Sequence, residues 1–131
     1  MQTRRVLFAA AVLGCYTSLL MAEDAVKVDP KHYTVVTENA QVRVLRVHYG
    51  PHEKSVMHSH PATVAVFLTP GSGRFTSPDG KTQDFTVKAG DTQYSAATTH
   101  LPENTGDQAF ELIVVELKGK TAKSAKAANP K

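Results

Sequence analysis

The sequence contains no tryptophan and only one cysteine, Cys15, among its 131 residues. Because Cys15 lies within the first 22 residues, a disulfide within the rest of the chain is excluded, and stability there must come from a packed core or a bound metal. Aromatic residues make up only 7% of the chain, so we expect that core to be mainly aliphatic. Without the two unusual ends about 95 residues remain, which is one small domain and excludes a two-domain enzyme.

Positive charge is scarce in the middle of the chain, although the formal net charge is +3. Residues 23–117 contain eight basic residues against twelve acidic ones, so the basic excess lies at the two ends. The Lys-rich and Ala-rich segment 118–131 is predicted to be a disordered basic tail. Because no aromatic side chains for stacking on bases are interleaved with its lysines, we expect no nucleic-acid partner.

The first 22 residues have the pattern of a secretory signal peptide. Arg4 and Arg5 precede an apolar stretch that is at the short limit of a bilayer-spanning segment and is followed by acidic, polar sequence. We therefore expect residues 1–22 to be a signal peptide and the protein to be exported, either periplasmic or secreted. Residues 12–15, VLGC, resemble the lipobox of bacterial lipoproteins, so the alternative is a lipoprotein anchored through Cys15. Beyond such an anchor we expect no membrane contact.

Short apolar runs between residues 33 and 117 predict an all-β domain. They are rich in β-branched residues and are separated by turn residues at the spacing typical of a barrel or sandwich. Pro78-Asp79-Gly80 predicts a tight turn and a hairpin over residues 74–87. The predicted strands cover residues 33–36, 42–49, 55–58, 63–68, 73–77, 83–87, 92–96 and 110–117.

Three of the six histidines have the spacing of metal ligands. His58 and His60 stand at i and i+2 of a predicted strand, so their side chains project from one face and can converge on one ion. His100 can supply a third nitrogen from a neighbouring strand. Imidazole suits several divalent metals, and we expect one ion of Fe, Mn, Ni, Cu or Zn. A His-x-His pair alone also occurs by chance, so the pair needs support from its context.

Two segments around these histidines resemble the two motifs of the cupin family. They are residues 52–71, HEKSVMHSHPATVAVFLTPG, and residues 90–104, GDTQYSAATTHLPEN. The resemblance implies a single-domain cupin barrel, a double-stranded β-helix or jelly roll, over residues 40–117. Residues 23–39 then form an N-terminal arm and the first strand. Gly90 and Asn104 match the turn-forming positions of the second motif.

The chain also resembles a group of small bacterial cupins, some of which are associated with β-alanine degradation. The similarity lies in the hairpin FTSPDGK at residues 75–81 and in the terminal strand LIVVELK at residues 112–118. This likeness supports the fold more than a substrate. A homodimer is implied by the resemblance alone.

One departure from the family pattern affects the chemistry. The position of the family's metal-binding glutamate, three or four residues after His60, is occupied by Val64 or Ala65, which cannot bind metal. Three neutral histidines leave an ion its full charge and open positions, as in the family's thiol dioxygenases. One hypothesis is therefore a dioxygenase-like cupin that acts on or binds a small organic molecule. The other is a non-catalytic binding module with a lost or structural metal site.

Ligand-contacting residues are predicted from strand alternation, whereas no catalytic residue is identified. Thr63 and Ala65 share one face, and their small side chains leave space near the histidines. Gln93 and Tyr94 precede His100, and whichever of the two faces inward is predicted to orient the small-molecule ligand.

Four further side chains are assigned from the same alternation. His32 and His48 are predicted to lie on the surface. Glu111 and Glu116 stand five positions apart in the last strand and therefore on opposite faces, so they cannot act together as an acid and base.

Overall fold

Nine short strands and one short helix make up residues 23–119, the part of the chain that the computed structural model describes. The predicted signal peptide, the alternative lipid anchor at Cys15 and the predicted tail from residue 120 onward lie outside these residues. Within residues 23–119, no helix has the length and apolar character needed to cross a membrane. The elements are α1 (Ala25–Val28), β1 (Tyr33–Glu38), β2 (Val42–Tyr49), β3 (His58–His60), β4 (Thr63–Phe67), β5 (Gly71–Thr76), β6 (Thr82–Val87), β7 (Thr92–Ser95), β8 (Thr98–Asn104) and β9 (Phe110–Leu117).

The strands form two antiparallel sheets. One has the order β1-β2-β9-β4-β7, and the other has the order β3-β8-β5-β6. Most neighbours within a sheet are distant in sequence, which is typical of a jelly roll. The predicted all-β jelly-roll fold is confirmed.

The core follows from strict alternation in the two central strands of the larger sheet. In β9 every second side chain, beginning with Phe110, is buried, and in β2 Leu45, Val47 and Tyr49 are buried. The register places these side chains opposite one another, with Leu45 beside Val114. Alternation of this kind is expected for a sheet that has one face on the core.

Two elements around the site differ from the sequence predictions. Strand β3 covers residues 58–60 rather than 55–58, and β8 was not predicted. The β8 sequence, TTHLPEN, lacks apolar alternation and contains a proline and an asparagine, both of which are depleted in strands. Its pairing with both β3 and β5 overrides these weak local preferences.

The turns behave as their residues predict. Gly80 and Gly90 have φ of +83° and +88°, the left-handed region that glycine adopts without a steric penalty. Gly80 closes the β5–β6 hairpin, and Gly90 lies in the turn before β7. Asn104 is fully buried at the end of β8, where its amide donates to the carbonyls of Gly50 and Gln108 at 2.8 Å.

Candidate metal centre

The antiparallel pairing of β3 with β8 brings the three predicted histidines together. His58 lies directly opposite His100, and His60 projects from the same face as His58. One nitrogen from each ring lies within 4.8 Å of the others. His58 is fully buried and His60 nearly so, so these nitrogens face the interior of the protein.

Hydrogen bonds define which nitrogen of His58 and His60 carries the proton. His58 Nδ1 lies 2.8 Å from the Val56 carbonyl oxygen, and His60 Nδ1 lies 2.7 Å from Glu116 Oε1. Both partners are acceptors, so each Nδ1 donates a proton to its partner, and the Nε2 atom of each ring is left for another contact. The two Nε2 atoms are 3.0 Å apart. Two imidazole nitrogens this close must share either a proton or a metal cation, since two facing lone pairs repel each other.

His100 supplies a nitrogen that has no hydrogen-bonding role. Its Nε2 is buried and, among residues 23–119, has no partner. A buried polar atom without a partner is rare and needs an explanation. The ring itself is held by Phe75, which stacks on it at a centroid distance of 4.8 Å and an interplanar angle of 3°.

Burial keeps two of these rings neutral. Removal from water, together with the neighbouring His60, lowers the pKa of His58 to about 4. Burial, and to a smaller extent the neighbouring His58 and His60, lower the pKa of His100 to about 3. Neutral imidazole is the form that binds metal. The donor set, the neutral rings of His58 and His100 and the orphaned nitrogen of His100 therefore suit one divalent ion.

Glu116 positions His60 from the opposite sheet. It is only 1% exposed and accepts hydrogen bonds from His60 and from Arg43 Nε, the latter at 2.5 Å. Burial raises the pKa of Glu116, but the hydrogen bonds from His60 and Arg43 outweigh it and hold that pKa below its usual range. Arg43 in turn donates to Asp24, next to α1. Carboxylates in this position commonly orient metal-binding histidines and raise their basicity.

A second chain of polar side chains reaches His58. Ser55 Oγ donates to Asp29 Oδ2 at 2.5 Å and lies 3.3 Å from His58 Nδ1. Asp29 also contacts His32 Nδ1 at 2.7 Å, and Glu53 contacts His32 Nε2 at 3.0 Å. The prediction that His32 lies on the surface is therefore wrong. The ring is 5% exposed because carboxylates bond both of its nitrogens and because it stacks on Tyr49.

Sequence reasoning missed Glu116 as a contact of the centre, although a signal for it exists. Glu116 is in phase with the buried side chains of Leu112 and Val114 in β9. A lone carboxylate on the buried face of a strand requires a buried partner, since an unpaired charge there is strongly unfavourable. Asp29 and Ser55 carry no comparable signal, because their contacts with His32 and His58 depend on loop paths.

A cavity of about 430 Å³ adjoins the histidines. Thr63, Ala65 and Gln93 line it together with His60 and His100. Tyr94 does not line it, and is 67% exposed on β7. Alternation along β7 turns Gln93 inward and Tyr94 outward. Of the two residues, Gln93 is therefore the one that faces the cavity.

Comparison with known proteins identifies relatives of this fold. Residues 45–116 match the family described as cupin domain. A cupin domain from Bordetella pertussis Tohama I is 24% identical, with a TM-score of 0.62 over 66% of this chain and 92% of that chain. A conserved protein with a double-stranded β-helix domain from Klebsiella pneumoniae subsp. pneumoniae MGH 78578 is 23% identical, with a TM-score of 0.55 over 67% of this chain and 76% of that chain. No curated protein matches the chain. At these identities the solved structures support the fold.

Proposed function

The chain belongs to the cupin domain family, and from this premise we propose that it binds one divalent metal through His58, His60 and His100 and acts on, or binds, a small organic molecule in the adjoining cavity. The observation that carries the proposal is the buried Nε2 of His100, which lacks a partner beside the facing Nε2 atoms of His58 and His60. Two nitrogens that are each about 2.0–2.1 Å from one ion lie roughly 3 Å apart at a near-right angle, close to the 3.0 Å between the Nε2 atoms of His58 and His60.

The metal, the residues that orient the histidines and the residues of the cavity have separate roles at this centre. When bound, the metal supplies a Lewis acid with open positions, which is suited to oxygen-dependent, dioxygenase-like chemistry. Glu116 and the Val56 carbonyl hold His60 and His58 in the orientation and protonation state that leave their Nε2 atoms free. Aromatic and aliphatic side chains form much of the cavity wall, and Gln93 offers an amide to orient a ligand.

A non-catalytic binding module is the second candidate. It is favoured by the cavity lining, which within the described residues contains no carboxylate, lysine or arginine to act as acid or base. Tyr33 and Tyr49 line the cavity, but burial raises the pKa of both hydroxyls, so they stay protonated near neutral pH. Nitric oxide added to ferrous-loaded protein separates the candidates: a ferrous-nitrosyl EPR signal indicates open positions, whereas no signal favours the binding module.

Metal content of the purified protein tests the proposal. Near-stoichiometric metal is expected in the parent and none in a His58→Ala, His100→Ala double variant. His48→Ala is the matched control, because His48 is an exposed histidine on β2 and should not affect metal content. Absence of metal from the parent after incubation with each candidate ion would contradict the proposal.

Export and self-association are further proposals. The N-terminal pattern supports export, and cell fractionation with a periplasmic marker tests it. Resemblance to other cupins supports a homodimer, which light scattering of the purified protein tests. The likeness to cupins associated with β-alanine degradation stays a prediction.

A further inference from the structure

The cavity beside the histidines contains no charged side chain among the residues that the structure describes. Its lining includes no aspartate, glutamate, lysine or arginine. Glu116, a buried carboxylate, is outside the lining and is already bonded to His60 and Arg43. A ligand therefore finds no side chain of opposite charge in the cavity.

The polar groups that do line the cavity are neutral. The hydroxyl and amide side chains are those of Thr63, Ser77, Gln83, Gln93, Ser95 and Thr98. Gln83 and Gln93 are exposed and mark the open side, whereas Thr63 is buried. The hydroxyls of Tyr33 and Tyr49 lie 2.9 Å apart and bond each other. Such groups can orient an uncharged polar substituent but cannot neutralise an ion.

Aromatic and aliphatic side chains form the remaining walls. Phe75 and Phe85 stack at a centroid distance of 4.7 Å, and Phe75 also stacks on His100. Buried Val47, Phe67 and Phe110 lie deeper. Moving a carboxylate or ammonium against such walls without a partner is strongly unfavourable, because its hydration is lost and nothing replaces it.

We propose that this cavity selects an uncharged, largely apolar small molecule, and that it rejects ligands bearing a charge away from the histidines. This inference extends the proposed function. It rests on the proposed metal site only for the end of the ligand that lies against the histidines. It excludes zwitterionic amino acids, including β-alanine, as ligands of the main cavity. A volume of about 430 Å³ is in the usual range for small-molecule sites.

Metal-free protein separates this proposal from the metal proposal. Binding of 4-methylphenol, 4-methylbenzoate, 4-methylbenzylammonium and β-alanine to EDTA-treated full-length protein is measured by calorimetry at a mildly alkaline pH. We expect 4-methylphenol to bind at least about tenfold more tightly than either aromatic ion, and β-alanine not to bind. Equal or tighter binding of an ion, or no binding of 4-methylphenol in the millimolar range, would overturn the proposal, whatever the metal content proves to be.

Two variants at adjacent positions provide a matched test. Gln93→Lys places an ammonium at the cavity and is expected to tighten binding of 4-methylbenzoate at least about threefold. Tyr94→Lys places the same charge on the outer face of β7 and should leave that affinity unchanged. Circular dichroism verifies that both variants fold. Equal responses of the two variants would show that the probe binds elsewhere, which contradicts the proposal.

Discussion

Replacement of Glu116 by glutamine tests whether the centre depends on its outer hydrogen bonds. The carboxylate accepts the His60 Nδ1 proton at 2.7 Å and thereby leaves His60 Nε2 free for metal. Glutamine keeps the volume but removes the negative charge and presents an amide that can also donate. The neutral side chain therefore lowers the basicity of His60 and weakens its orientation.

The expected magnitude follows from the role of such carboxylates. Loss of a partner that orients a metal-binding histidine typically weakens metal affinity 10–100-fold, or about 1.4–2.7 kcal/mol. The protein should also lose stability, because Arg43 keeps Asp24 but loses a buried carboxylate. Removal of one partner from a fully buried ion pair costs about 3–5 kcal/mol in stability. Because Arg43 is partly exposed, removal of its Glu116 partner should cost less than that.

Competition with a chromophoric chelator measures the metal affinity, after circular dichroism has shown that the variant is folded. Glu111→Gln is the matched control, because Glu111 lies on the opposite face of β9 and pairs with the exposed Arg46. We expect parent affinity for Glu111→Gln and the stated loss for Glu116→Gln. Parent affinity in folded Glu116→Gln would refute the positioning role.

Three further predictions concern stability. Metal-free protein should lose stability below about pH 6.5, because the unfolded chain then protonates His58 and His100, whereas their folded pKa values of about 4 and 3 keep them neutral. Urea unfolding should show a loss in the free energy of unfolding of up to about 1.4 kcal/mol per pH unit for each histidine, until the pH approaches those values. A free energy of unfolding that does not change with pH would contradict this prediction. Asn104→Ala should cost about 2–3 kcal/mol in urea unfolding, because four backbone groups lose their bonds to the buried side chain. An unchanged midpoint would be inconsistent with that role. Gly73→Ala should lower the free energy of unfolding by about 1–3 kcal/mol and weaken the binding of 4-methylphenol, because a Cβ would lie 2.3 Å from Phe85 Cζ and force that ring to move. Unaltered stability would exclude such a clash.

The strands that could be predicted from the sequence are those in which burial alternates with residue type. The predicted bounds 42–49 and 110–117 are those of β2 and β9 in the structure, because both strands are rich in β-branched and apolar residues and contain no glycine, proline or other turn residue. Strand β8 has no such pattern and is defined by its partners on both sides. Helix α1 has four residues, too few to produce a helical period, and is capped by the Asp24 side chain.

For the site too, features within one strand could be predicted from the sequence, whereas contacts with distant residues could not. Spacing along β3 indicated that His58 and His60 share a face, and His100, a candidate third ligand from a neighbouring strand, was supported by the family resemblance. The partners that orient them come from positions far away in sequence: Glu116 is 56 residues from His60, and Asp29 is 26 residues from Ser55. Contacts at such separation depend on how the sheets pack, which strand periodicity alone does not specify.

Anomalous X-ray diffraction at the absorption edge of the bound metal tests the central claim most directly. One strong peak is expected, coordinated by the Nε2 atoms of His58 and His60 and by a nitrogen of His100, at about 2.0–2.1 Å from each for zinc. No protein carboxylate should coordinate the ion. A peak at another location, or coordination by Glu116 in place of a histidine, would contradict the account.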